Sequence, residues 1–256
     1  MKGRRIQSTI LLGVFLIIYG AGSTFAEDSG NAILQEIDEI TNAPLDEMSD
    51  MRIILLDKKG NRKERLLKTW AKYFKDKDSW RIIKFLSPTD VRGVGFLVLA
   101  EDKMYLYLPA FHRIRRIASH SKKESFMGSD LSFSDMETKR LCEDYEARLL
   151  KEDSDNYFLE LIRRPGSEKP YFRIKMTVEK SSNVPIYMES FDEGNNLWKV
   201  WKMTPYKSGK YYTVSRMEVE EKKKEHVTIV ERENIQFDQG LEDKIFTQRF
   251  LKRRPK

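Results

Sequence analysis

Apolar and polar residues alternate along most of the chain after about residue 51. The clearest run covers residues 172–178, where Phe172, Ile174, Met176 and Val178 alternate with polar or charged residues. Because successive side chains of a strand point to opposite faces, this run predicts a strand with one apolar and one wet face. Similar alternation predicts further strands over residues 80–86, where Lys84 interrupts the apolar face, and over residues 103–108, 211–219 and 227–229.

Polar turn signals separate these runs at intervals of roughly 8–12 residues, which is typical of strands joined as hairpins. Examples are Lys59-Gly60-Asn61, Ser181-Ser182-Asn183 and Glu193-Gly194-Asn195. No spacing is long enough for repeated parallel crossovers. The pattern predicts a mainly β protein with about ten to twelve strands. We expect one large antiparallel sheet, which must curve to bury its apolar face.

Helical spacing of apolar residues appears in only a few places. Residues 31–43 carry Ile33, Leu34, Ile37 and Ile40 on one helical face before Pro44 ends the segment. Residues 132–136 predict a short turn that Ser132 or Ser134 could cap. Residues 241–251 predict a third helix, because Leu241, Ile245, Phe246 and Phe250 fall at helical spacing. Without a low-complexity linker or an internal repeat, residues 27–256 are predicted to be one domain.

The first 26 residues have the order of a secretory signal peptide. Basic Lys2, Arg4 and Arg5 precede an apolar run, and Thr24-Phe25-Ala26 ends in a small residue before the acidic Glu27. The apolar run is shorter than the ~20 residues of a comfortable membrane span. We therefore expect cleavage after Ala26 and a periplasmic protein, with an uncleaved N-terminal anchor as the alternative.

The expected export of the protein affects how its net charge is interpreted. The whole chain has 47 basic and 40 acidic residues, for a net charge of +7. Residues 1–26 contain three basic residues and no acidic one, so 44 basic residues would remain against the 40 acidic ones. The charge of an exported, mildly basic protein points to anionic lipid head groups or acidic partners rather than to nucleic acid, or simply to a well-solvated surface of mixed charge.

Signals of catalysis are scarce. The single cysteine, Cys142, excludes an intramolecular disulfide and is predicted to be a buried or half-buried strand residue. The three histidines, His112, His120 and His226, show no metal-binding spacing, and no Gly-x-Ser-x-Gly motif is present. The sequence thus predicts a protein that is not an enzyme and needs no cofactor or metal.

Unusual residues concentrate in the segment from residue 85 to residue 136. In chain order they are Phe85-Leu86-Ser87-Pro88, Gly93-Val94-Gly95-Phe96-Leu97, Tyr107-Leu108-Pro109, Arg113, Arg115-Arg116, Phe126-Met127-Gly128-Ser129-Asp130 and Asp135. The apolar run after Gly95 indicates burial on both faces, and the glycines allow a bend or a close backbone approach. This segment resembles the LolA-like family of outer-membrane lipoprotein-sorting proteins.

The resemblance implies a half barrel, an open curved antiparallel sheet whose concave face is covered by helices. It also implies an apolar cavity that carries the acyl chains of lipoproteins or lipids between membranes. The implied partners are an acylated cargo, an inner-membrane transporter of the ABC or RND type, and an outer-membrane acceptor. The helix predicted over residues 31–43 is shorter than the N-terminal helix typical of the family. Two alternatives are a docking subunit of an inner-membrane lipid transporter that carries no lipid, and a hydrolase acting on lipid.

Candidate site residues follow from the apolar strand faces. The candidates for the cavity lining are Trp70, Trp80, Phe96, Val98, Leu106, Phe126, Met127, Phe172, Ile174 and Met176. The alternative for each of them is a place in a filled core. The three arginines Arg113, Arg115 and Arg116 are candidates for contact with phosphate head groups or with an acidic partner. In a strand, Arg113 and Arg115 would share one face. By the same rule, Trp198 and Trp201 would lie on opposite faces.

Overall fold

The computed structural model describes residues 21–75, 77–99 and 103–254, with only the backbone described for residues 21–27. Most of the expected signal peptide, residues 1–20, lies outside the described residues. The first described element is helix α1 (Ala21–Thr41), so the expected cleavage site after Ala26 falls within this helix. In the described part of the chain, no helix has both the length and the apolar character needed to cross a bilayer.

Thirteen strands are present in the described residues, slightly more than the sequence predicted. They are β1 (Asp46–Leu56), β2 (Arg62–Lys72), β3 (Trp80–Ser87), β4 (Gly95–Val98), β5 (Met104–Leu108), β6 (Arg113–Arg116), β7 (Tyr145–Glu152), β8 (Asn156–Arg163), β9 (Arg173–Glu179), β10 (Val184–Phe191), β11 (Leu197–Ser208), β12 (Tyr211–Glu221) and β13 (His226–Phe237).

All thirteen strands belong to one antiparallel sheet, which is curved and does not close. The chain meanders from β1 out to β6, crosses to the opposite edge, and meanders back from β7 to β13. β13 pairs with β1 over most of its length, with Val230 opposite Ile53, and so joins the two halves. The predicted mainly β fold with one large antiparallel sheet is confirmed.

The concave face of the sheet is covered by α1 and by the crossing segment, residues 117–144, which includes the short helix α2 (Leu141–Asp144). Ile33, Leu34 and Ile37 of α1 are buried there, as their spacing predicted. With 21 residues, α1 is longer than the segment predicted from the apolar spacing alone.

Gly30 and Asn31 fix α1 against the edge strand β7. A Cβ atom at Gly30 would lie 2.5 Å from the Ala147 carbonyl oxygen, so only glycine permits this close approach. The Asn31 Oδ1 atom accepts a hydrogen bond from the Ala147 backbone N–H at 2.9 Å. The helix thereby covers a sheet edge that would otherwise expose unpaired backbone groups.

The convex face of β2–β6 is covered by the C-terminal segment, residues 241–251. This segment is not the single helix that its apolar spacing predicted, but a 3₁₀ turn (Asp243–Ile245) followed by helix α3 (Gln248–Leu251). Thr247 adopts an extended conformation between them, and its side chain accepts a hydrogen bond from the Phe250 backbone N–H. A threonine side chain that bonds the backbone locally favours a cap over a helix interior.

Close packing holds the C-terminal segment on the sheet. A Cβ atom at Gly95 would lie 2.6 Å from the Leu251 Cδ1 atom, which agrees with the close approach predicted for this glycine. The Lys84 side chain is buried on this face, and its Nζ atom donates to the carbonyl oxygens of Phe250 and Arg253. The lysine that interrupts the apolar face of β3 therefore binds the end of α3.

Two local predictions need correction or refinement. Cys142 is half-buried but lies in α2, not in a strand, because the Asp38 carboxylate of α1 accepts the Leu141 and Cys142 backbone N–H groups and stabilises a helical turn. The turn predicted near residues 132–136 is a 3₁₀ turn (Ser134–Met136). The Ser132 hydroxyl accepts the Asp135 backbone N–H there.

Candidate functional site

The main cavity lies between the concave face of the sheet and the crossing segment, and its volume is about 230 Å³. Its walls come from the central strands β1–β3 and β11–β13, and residues 131–136 form its roof. Most of the lining side chains are apolar, including Ile53, Ile83, Leu131, Met136, Met217 and Val230.

One end of the main cavity is polar. Glu47, Tyr73, Arg81 and Arg232 line it together. The Glu47 carboxylate forms an ion pair with the Arg232 guanidinium and accepts a hydrogen bond from the Tyr73 hydroxyl at 3.0 Å. Burial, reinforced by the negative charge of Glu47, raises the pKa of Tyr73 well above its usual value. Tyr73 therefore stays a neutral hydrogen-bond donor at physiological pH.

A second cavity of about 250 Å³ adjoins the first toward β9 and β10. Asp135, Trp201 and Met217 line both cavities and so form the wall between them. The Asp135 carboxylate accepts hydrogen bonds from the Lys199 Nζ atom at 3.0 Å and from the Tyr171 hydroxyl at 2.8 Å. The buried charge in this wall is therefore paired.

Comparison with known proteins identifies the fold and the family. A family model described as an uncharacterized protein matches residues 77–253. A DUF1329 family protein from Desulfovibrio piger ATCC 29098 is 29% identical, with a TM-score of 0.83 over 88% of this chain and 99% of that one. A domain assigned to outer-membrane lipoprotein sorting in Vibrio parahaemolyticus is 25% identical, with a TM-score of 0.82 over 89% of this chain and 100% of that one. The chain belongs to the LolA-like family.

A third solved structure has the same fold, and the comparison with curated proteins found no match. A LolA superfamily protein from Nitrosomonas europaea shares the fold at 19% identity, with a TM-score of 0.69 over 86% of this chain and 98% of that one. No curated protein matches the chain significantly. The resemblance inferred from residues 85–136 is thus confirmed, and the two cavities occupy the concave face of a LolA-like half barrel.

Only some of the residues that were expected to line a cavity do so in the structure. Ile174 and Met176 line the second cavity. Four other residues, Phe96, Val98, Leu106 and Phe126, lie on the concave side but outside both cavities, in a filled core. There the Phe126 ring packs 5.1 Å from the Phe96 ring and 5.7 Å from the Phe133 ring, measured between centroids.

Four expected lining residues lie elsewhere, and one of them, Met127, lines a separate groove. Trp70 and Trp80 are on the convex face, where their rings contact Phe250 and Phe246 of the C-terminal segment. The prediction that Trp70 and Trp80 line the concave cavity was wrong. It failed because the strands around them carry apolar side chains on both faces, so the sequence pattern does not show which face is concave. Phe172 lies just before β9 and is 38% exposed, with the Arg163 guanidinium over its ring.

The polar end of the main cavity was missed by the sequence analysis. Arg81 is in phase with the inward-facing Ile83, and Arg232 is in phase with Val230. A charged residue on an otherwise apolar strand face is the signal that could have found this site. Trp201 lines both cavities and Trp198 lines neither. The prediction that they lie on opposite faces was nevertheless wrong, because both rings contact Tyr171 on the concave side. The pairing of β10 with β11 is irregular at Trp198, which breaks the strict alternation of faces.

A separate groove of about 980 Å³ lies near the β6 edge of the sheet. Met127 lines it, together with Phe111, whose side chain is 69% exposed. Its charged lining residues are Asp90, Arg92, Lys252, Arg253 and Arg254. The edge strand β6 follows this lining along the chain. There Arg113 and Arg115 are exposed opposite Leu108 and Leu106, and Arg116 lies on the other face.

Proposed function

We propose that this protein is a periplasmic carrier that takes the acyl chains of lipoproteins or lipids into the concave-face cavities and moves them between membranes. The observation that carries the proposal is the pair of adjoining, mainly apolar cavities beneath the crossing segment. Each methylene group removed from water contributes about 0.8 kcal/mol. An acyl chain therefore gains several kcal/mol by leaving water for such a cavity.

The size of the cavities determines how loading must occur. Their volumes of about 230 and 250 Å³ each fall below the roughly 300–1,000 Å³ typical of small-molecule sites. Cargo must therefore widen or join them. Met217 in the dividing wall and Met136 in the roof suit this role, because methionine side chains repack easily.

The proposal includes a route and partners. The expected signal peptide over residues 1–26 would deliver the protein to the periplasm. An inner-membrane transporter of the ABC or RND type would supply the cargo, and an outer-membrane acceptor would receive it. This role requires no covalent chemistry and no cofactor.

A hydrolase is disfavoured by the arrangement around His226. The His226 Nδ1 atom contacts the Asp130 carboxylate at 2.7 Å, as a catalytic histidine often does. The nearby hydroxyl of Thr228, however, donates to the same carboxylate instead of facing the imidazole. This arrangement supplies no nucleophile activated by a base.

A docking subunit without carrier activity is the second candidate, and the edge groove favours it. Exposed Phe111 and the surrounding basic residues form a surface that an acidic partner could bind. Arg113 and Arg115 would extend this surface along β6, and Arg116 would contribute from the other face.

Native mass spectrometry with lipid extraction tests the carrier proposal on protein purified from a bacterial envelope. We expect a stoichiometric lipid or acylated peptide on the wild type and none on Met217→Asp, because the charge would lie in both cavities. Met48→Asp is the matched control, since Met48 is equally half-buried but alternates with the inward-facing Glu47 and Ser49.

The two candidates give different results. Cargo retained by a folded Met217→Asp variant would contradict the cavity assignment. A wild type that stays free of ligand after incubation with lipids and a lipoprotein would favour the docking subunit.

A further inference from the structure

We propose that the polar end of the main cavity binds the anionic head group of the cargo, a phosphate or a carboxylate, and that Arg81 is the residue that pairs with it. This inference rests on the proposed carrier function and specifies the class of acyl ligand. It follows from the charges at this end of the cavity and from how they are paired.

The other charged groups at this end already have partners. One Glu47 oxygen accepts from the Arg232 guanidinium and the Ser49 hydroxyl, and the other accepts from the Tyr73 hydroxyl. Arg232 also donates to the Thr213 hydroxyl at 3.0 Å and to the Val214 carbonyl oxygen at 3.1 Å. Glu47 therefore has little capacity left to neutralise a second cation.

Arg81 differs from these residues. Its half-buried side chain lines the cavity, and among the residues that the structure describes none forms a hydrogen bond or an ion pair with it. Its β3 backbone is fixed between Ala71 and Val98 of the neighbouring strands. A partly desolvated guanidinium gains most from a ligand that accepts two hydrogen bonds side by side, as phosphate and carboxylate groups do.

The balance of charge around the cavity agrees with an anionic ligand. Arg81, Arg232 and the Lys199 partner of Asp135 are positive, whereas Glu47 and Asp135 are negative. One positive charge is therefore left uncompensated. Because it lies at one end of a mainly apolar cavity, a bound amphiphile would have its head at Arg81 and its chain directed toward Ile83, Met217 and Trp201.

Displacement of the neutral dye N-phenyl-naphthylamine by twelve-carbon amphiphiles tests this inference. We expect dodecyl phosphate and dodecanoate to bind the wild type about tenfold more tightly than dodecanol, a difference of about 1.4 kcal/mol. Arg81→Gln should remove this preference without weakening dodecanol binding, whereas Arg81→Lys should keep most of it. Arg52→Gln is the control, because Arg52 is 40% exposed and alternates with the inward-facing Met51 and Ile53.

Each outcome has a defined meaning. Equal affinity of the wild type for charged and neutral amphiphiles would overturn the inference and leave the carrier function intact. An unchanged preference in folded Arg81→Gln would also overturn it. Displacement of the dye by inorganic phosphate alone would show a site for free phosphate rather than for a head group. If no amphiphile displaced the dye, the carrier function itself would fail.

Discussion

Single residues show how this protein places charge beneath an apolar sheet. Asp135 is buried in the wall between the two cavities, yet it accepts hydrogen bonds from the Ser132 backbone N–H and hydroxyl, from Tyr171 and from Lys199. A buried ion pair is tolerated when its remaining hydrogen-bonding capacity is satisfied. Arg81 lacks such partners among the described residues, and this contrast distinguishes a structural charge from one available to a ligand.

Cys142 is expected to be chemically inert at neutral pH. Burial raises the pKa of its thiol to about 11, and the hydrogen bond and negative charge of Asp38 add to the shift. Since the thiolate is the nucleophile, alkylation by iodoacetamide at pH 8 should be about a hundredfold slower in the native protein than in the urea-unfolded chain. The native rate should increase about tenfold per pH unit until the pH approaches 11.

The rate of labelling, followed by mass spectrometry, checks this prediction. Asp38→Asn removes the negative charge and keeps one of the two acceptor oxygens that α2 uses, so it should speed the reaction. Native labelling at the unfolded rate at pH 8 would show that the thiol is not buried in this way.

At the scale of elements, the two faces of the sheet are covered by different parts of the chain. α1 and the crossing segment cover the concave face, and the C-terminal segment covers the convex face of β2–β6. Gly30 and Gly95 each permit one of these contacts, because a side chain at either position would meet the covering or supporting element. Glycine inside a helix costs about 1 kcal/mol relative to alanine, so Gly30 is explained by packing rather than by helix propensity.

Gly30→Ala should therefore destabilise the protein despite the better helix propensity of alanine. The added Cβ atom would overlap backbone atoms of β7, and we expect a loss of about 1–3 kcal/mol in the free energy of unfolding. Urea denaturation measures it. Gln35→Ala, on the exposed face of α1, is the control and should change the free energy by less than about 0.5 kcal/mol. A stabilised Gly30→Ala variant would show that α1 does not pack this closely.

At the scale of the whole molecule, the sheet is held together by continuous strand pairing, and the roof of the main cavity, residues 131–136, is the region that we expect to move. The pairing of β1 with β13 joins the two halves through a long backbone ladder. The crossing segment instead contains short 3₁₀ turns and a four-residue helix, and its backbone hydrogen bonds lie mostly within the segment instead of forming a long ladder with the sheet. Local opening favours segments with few regular hydrogen bonds.

Loading with an acyl ligand should therefore change the roof and leave the central sheet unchanged. We expect residues 131–136 to exchange backbone hydrogens faster when the protein carries dodecyl phosphate, because the two cavities must widen. The strands β1 and β13 should stay protected. Hydrogen exchange followed by mass spectrometry measures both regions in one experiment, and slower exchange of the roof on loading would contradict this view of how the cavities open.

The sequence by itself determined the fold class, because the two-residue period of a strand and the spacing of turns are local properties. It also located the apolar face of α1, the buried run after Gly95 and, through residues 85–136, the LolA-like family. It did not distinguish concave from convex positions, since β3 and β4 bury both faces, and so Trp70 and Trp80 were assigned to the wrong side. Only the tertiary structure decided which apolar residues line a cavity and which fill the core. It alone brought Glu47, Tyr73, Arg81 and Arg232 together, because these residues come from four different strands or strand ends and meet only when the sheet curves.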